Sequence, residues 1–90
     1  MINDPRANLI GPQVEKVREA RGLTKEQLAA QLKATGMKAS AVIVDDIEAQ
    51  ERGVTDMELF VLAHTLQVPY EVLLPPDVVR DFQSKMSRPE

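Results

Sequence analysis

The residues able to do chemistry in this chain are few, and they do not assemble into a reaction centre. Cysteine is absent, which removes disulfides, thiolate metal sites and thiol nucleophiles. His64 stands alone, and an imidazole with no second ligand nearby reads as a surface residue rather than a metal or acid–base group. Ser40 has no readable histidine or lysine partner to activate it, and it reads as a helix cap. No nucleophile–base pair, metal-ligand spacing or phosphate-cradling glycine loop is present. The chain is therefore not expected to be an enzyme, and neither cofactor nor metal is implied. What remains is charge. Lys25, Lys38 and Arg52 are cations, and Asp45 and Asp46 form an adjacent carboxylate pair within "KASAVIVDDIEAQ", residues 38–50. Groups of this kind make contacts with other charged molecules, so the question becomes which elements present them.

The chain has 90 residues, enough for one small domain with a modest core. Aromatic residues make up 3% of it, so Leu, Val, Ile, Ala and Met must fill that core. Frequent Leu, Ala, Glu, Gln and Lys favour helices, and no strand-like alternation interrupts them. No apolar run reaches membrane-spanning length, and "MINDPRAN" lacks the basic-then-apolar pattern of a signal peptide. Together with the absence of cysteine this fits a reducing cytoplasm. The net charge of −3 weighs mildly against nucleic acid, because a dedicated binder usually carries a basic patch.

Residues 1–10 read as an arm whose Leu9 and Ile10 can dock on the core. Gly11-Pro12 opens a helix, with proline at a tolerated early position. Val14, Val17 and Ala20 follow at helical spacing, Arg18 and Arg21 sit in the last turn, and Gly22 stops it. "LTKEQL" is a helix start: Thr24 caps, Gln27 completes a capping box, and Leu23 and Leu28 form a hydrophobic staple. Leu28, Ala29 and Leu32 carry the buried stripe to Gly36. Ser40 caps the next helix. There Ile43, Val44 and Ile47 share one face, and Ala41, Val42, Asp45 and Asp46 look away from it. "VTDMEL" repeats the start signal with Thr55, Glu58, Val54 and Leu59, and the stripe continues through Leu62, Ala63 and Leu66. A short helix follows Pro69, and Pro75-Pro76 punctuates the chain. Tyr70 and Phe82 read as packing residues. The expectation is an all-α fold of five short helices, with room for a sixth in the tail at 75–90. That tail carries Val78, Val79, Phe82 and Met86 at three- and four-residue steps. An apolar stripe is costly to leave in water, so these four are candidates for a dimer face.

The segments "VREARGLTKEQLAAQL", "DIEAQ" and "VTDMELFVLAHTLQVPYEVLL" resemble the phage-repressor/Cro-like helix-turn-helix family, the xenobiotic-response-element type. The likeness covers about residues 11–74. Its most specific part is Gly22-Leu23-Thr24 followed by an acidic or Gln residue and Leu28-Ala29; Ala63 and Leu66-Gln67-Val68 match the fourth helix and its exit. The resemblance implies a compact, lambda-repressor-like five-helix bundle. Its second and third helices would form the motif, at about 24–33 and 40–50. It implies an Arg18–Glu48 bridge between the first and third helices. It also implies double-stranded DNA as partner, with the third helix in the major groove.

In that family, base readers occupy the positions of Ala41, Val42 and Asp46. Lys25 stands where relatives often hold a phosphate; Lys38 and Arg52 flank the groove, and residues 40–46, including Ser40 and Asp45, face the bases. The chain departs from the pattern here. Ala41 and Val42 offer methyl contact to thymine, and Asp46 can accept from cytosine N4, where polar or basic side chains are usual. From Thr24 to Arg52 four cations face five carboxylates, a net −1, whereas phosphate contacts need cations. Gln50 occupies a position where the family often has glycine, so Gly53 is expected to take over capping and lengthen the third helix by about one turn. Two functions follow. The first is a dimeric DNA-binding transcriptional regulator. The alternative is a scaffold that has lost base reading and acts as a protein–protein interaction module or a DNA-mimicking antagonist.

Overall fold

The computed structural model describes residues 8–78 and Arg80. Five helices follow one another: α1 Gly11–Ala20, α2 Lys25–Ala34, α3 Ala41–Glu48, α4 Asp56–Leu66 and α5 Tyr70–Leu73. Helix resumes at residues 76–78, and no strand occurs among the described residues. The fold is all-α, as expected. No described helix is long and apolar enough to cross a membrane.

The helix starts form from local hydrogen bonds. Thr24 Oγ1 accepts from the Gln27 N–H at 3.0 Å while Gln27 Oε1 accepts from the Thr24 N–H at 2.8 Å. Thr55 and Glu58 repeat this box at 3.1 and 3.0 Å. Ser40 Oγ accepts from the Ile43 N–H at 3.2 Å. Each cap satisfies amide groups that a helix leaves orphaned at its start.

The core is assembled from the apolar face of each helix. Leu28, Leu32, Ile47, Leu62, Leu66 and Leu73 are its largest fully buried side chains, each worth about 1.5–3 kcal/mol of burial. α2 packs on α3 and on α4, and α1 packs on α3, α4 and α5. Ile10 is buried, but Leu9 is 50% exposed, so only one of the two arm residues docks. The buried face of α1 runs through Ile10, Val14 and Arg18, four residues apart, rather than through Ala20. Six residues beyond Val14, Ala20 has turned well away from that face, and it is exposed.

The third helix ends earlier than expected. α3 stops at Glu48 with Ala49 as its cap, and Gly53 plays no part in closing it. Gln50 itself adopts the left-handed conformation, at φ 61°. The Glu51 N–H then reaches back to the Asp46 carbonyl at 2.8 Å and the Gln50 N–H to the Ile47 carbonyl at 3.1 Å. This is a Schellman closure, and the non-glycine residue adopts it although left-handed backbone costs it about 1–2 kcal/mol. α4 closes in the same way, with Gln67 at φ 60° and the Val68 N–H on the Ala63 carbonyl at 3.0 Å.

One contact aligns the motif with the rest of the bundle. Gly11 lies so close to the end of α3 that a Cβ there would fall 2.3 Å from the Ile47 carbonyl oxygen. Asn8 secures the approach. Its side-chain oxygen accepts from the N–H groups of Ile10 and Gly11 at 3.0 and 2.9 Å, and its Nδ2 donates to the carbonyls of Ile47 and Arg52 at 2.8 and 3.1 Å. The start of α1 is thereby fastened to the exit of α3.

Candidate nucleic-acid interface

α2, the loop through Gly36 and α3 position the candidate residues. Gly36, at φ +97°, makes the turn, and Ala39 is buried, anchoring the chain before the Ser40 cap. Val44 and Ile47 point into the core. The opposite flank is open: Val42 is 69% exposed, Asp45 is exposed, and Ala41 and Asp46 are half-buried. This is the surface the sequence pattern assigns to the outside.

Below that flank α3 is locked to α1. Arg18 and Glu48 are both 7% exposed. Arg18 Nε donates to Glu48 Oε2 at 2.6 Å and Nη2 to Oε1 at 3.1 Å. The third guanidinium nitrogen, Nη1, donates to the Leu23 carbonyl at 2.8 Å. The hydrogen bonds and charge of Glu48 push the Arg18 pKa above its ordinary value, against the opposing effect of burial. A planar fork fully engaged on a buried carboxylate fixes both distance and rotation of the two helices.

The expected cations are largely engaged inside the protein. Lys25, the first residue of α2, donates its ammonium to Asp45 Oδ1. That hydrogen bond and the charge of Asp45 raise the Lys25 pKa. Arg52 donates from Nη2 to Glu58 Oε2 at 3.2 Å, and its Nη1 is buried with no hydrogen-bond partner among the described residues. Arg52 is thus part of the junction between α3 and α4. Lys38 is exposed and, like Asp46, makes no ion pair among the described residues. Ser40 is exposed at the start of α3, its Oγ already accepting the capping bond.

Glu58 and Asn8 are the structural partners that motif reading did not single out for this site. Glu58 was legible only as the end of a capping box: Oε1 completes the box while Oε2 holds Arg52. Asn8 acts on groups 39 and 44 residues away, a relationship that no local pattern carries. His64 is exposed on α4, its ring nearly parallel to Phe60 with centroids 6.4 Å apart. Tyr70 meets Phe60 edge-on at 6.3 Å, which fits its expected packing role although it remains exposed. Of the four tail candidates, Val78 is 38% exposed; Val79, Phe82 and Met86 lie outside the described residues.

No protein-family model matches the chain, and no curated protein matches it. Among solved structures it is similar to the DNA-binding domain of BldD, with a TM-score of 0.65 and 30% sequence identity. The match spans 82% of this chain and 100% of that one. The chain belongs to the same helix-turn-helix family as that domain. In this helix-turn-helix protein α2 and α3 are consecutive helices packed on each other, and Val42 and Asp45 are the exposed residues on the outer flank of α3.

Proposed function

We propose that this helix-turn-helix protein is a DNA-binding transcriptional regulator of the phage-repressor/Cro-like type, presenting α3 to the major groove. The observation that carries this reading is the likeness, over 82% of this chain and at 30% identity, to the full length of a DNA-binding domain. The open outer flank of α3 is compatible with it. The start of α2 supplies amide groups and Lys25, which together suit a phosphate. Lys38 supplies a second cation before α3.

The acidic pair makes the approach conditional. Two like charges about 5 Å apart at an effective dielectric of about 20 repel by about 3 kcal/mol. The Lys25 ammonium on Asp45 offsets that repulsion. A phosphate arriving beside Lys25 shares the lysine with Asp45 or displaces it. Arg52, tied to Glu58 and half-buried, steadies the exit of α3 and is a weaker phosphate donor than Lys25 or Lys38. A cytoplasmic dimer that pairs two copies through the tail at 75–90 would match a two-fold operator.

The test is fluorescence anisotropy of mixed duplex DNA titrated with the full chain between about 50 and 200 mM salt. Two phosphate contacts per protomer give a log–log slope of about −2 per protomer. Absence of binding at low salt overturns the reading and leaves the scaffold as an interaction module for a protein partner.

A further inference from the structure

The outer flank of α3 is unusual in what it can recognise, and its chemistry selects a ligand. Val42 is 69% exposed and carries no hydrogen-bonding group. Beside it Ala41 adds a second methyl. Asp45 and Asp46 follow Val42 by three and four residues, the spacing that makes side chains neighbours on one helix face. Asp45 is held by Lys25, whereas Asp46 has no ion-pair partner among the described residues. The flank therefore offers an apolar contact next to an acceptor-only carboxylate.

Base edges in the major groove differ in how they answer such a pair. Thymine shows a C5-methyl beside the O4 acceptor; cytosine shows the N4 donor with no methyl. Against thymine the carboxylate would face another acceptor. Against cytosine Val42 would cover a bare C–H and lose part of its apolar contact. A cytosine methylated at C5 presents the methyl and the N4 donor side by side, which satisfies both groups at once. Resting on the DNA-binding reading above, we infer that α3 recognises 5-methylcytosine in duplex DNA, with Val42 on the methyl and Asp46 accepting from N4. Lys25 keeps the neighbouring Asp45 charge from opposing the phosphates.

Two random-sequence duplex libraries, one containing 5-methylcytosine throughout and one cytosine, test this with the full chain at low salt. The sequence enriched from the methylated library is then synthesised in both forms. The expected result is about tenfold tighter binding of the methylated duplex, the scale of one good base contact. Val42→Ala should bind the two forms equally, whereas Asp46→Ala should weaken both forms alike and lose discrimination against thymine, because N4 is common to the two cytosines and absent from thymine. Far-ultraviolet circular dichroism confirms that each exposed-site variant is folded. Equal binding of both forms by the wild-type chain overturns the inference and leaves the regulator reading standing. A preference that follows thymine, lost when uracil replaces it, overturns it in favour of a thymine reader. No binding to any duplex overturns the regulator reading, and this inference with it.

Discussion

Lys25 and Asp45 join the first turn of α2 to the outer flank of α3 through a direct ammonium–carboxylate hydrogen bond. On the proposed DNA-binding reading, the pair engages the lysine assigned to a phosphate, and Asp45 would compete with DNA for it. Asp45→Asn releases Lys25 and is expected to tighten DNA binding while leaving the log–log salt slope at about −2 per protomer, because Lys25 is already one of the two proposed phosphate contacts. Lys25→Met should weaken binding and flatten the slope by about one. Identical slopes for all three proteins would show that Lys25 never reaches a phosphate. The raised Lys25 pKa sets a further expectation. A folded-state lysine pKa above 10.5 means the pair's contribution is full below that pH and is lost as pH rises through the folded value. The difference in Tm between wild type and Lys25→Met should therefore be small, constant up to about pH 10 and vanishing above it.

The buried Arg18–Glu48 fork should be the most sensitive polar contact in the fold. Glu48→Gln leaves a guanidinium buried without its counter-charge, and the expected loss is about 3 kcal/mol by urea denaturation. Arg18→Met should cost about as much. The double variant Arg18→Met, Glu48→Leu should lose clearly less than the two singles together, because no uncompensated charge remains. Strict additivity would mean that the two side chains act independently.

Gly11→Ala tests the fastening of α1 to α3. Its Cβ would sit 2.3 Å from the Ile47 carbonyl oxygen and 3.0 Å from the Glu48 carbonyl oxygen, and both are backbone atoms that cannot rotate aside. Relief requires the helices to separate, at an expected cost of about 2 kcal/mol, the usual scale for overpacking. A thermal melt with an unchanged Tm would place the two helix ends further apart than the structure has them.

Gln67→Gly removes a left-handed strain while keeping the backbone carbonyl that accepts from Arg21 Nη2 at 3.0 Å. The folded state gains about 1 kcal/mol, the more flexible unfolded chain takes part of it back, and a net gain of about 0.5 kcal/mol is expected. Gln50→Gly should gain less, because the Gln50 Nε2 donates to the Asn8 carbonyl at 2.9 Å. Equilibrium denaturation of the two variants orders them; the reverse order would mean that the Gln50 side-chain bond contributes nothing.

What the sequence determined by itself lies within a few residues along the chain. The caps at Thr24, Ser40 and Thr55 and the buried faces of α2 and α4 depend on side chains three or four positions apart, so their spacing is readable. The outward placement of Val42 and Asp45 follows from the same helical period. Arg18–Glu48, a contact across 30 positions, was reached through resemblance to a family rather than through periodicity. Tertiary structure alone decided the partners of the cations: Asp45 for Lys25, Glu58 for Arg52, and Asn8 for the carbonyls at the end of α3. It also decided that α3 stops at Glu48, because Gln50 accepts left-handed backbone where its side chain reaches Asn8. These outcomes depend on which helix ends the packed core brings together, and hydrophobic burial, being without direction along the chain, leaves no local mark of that choice.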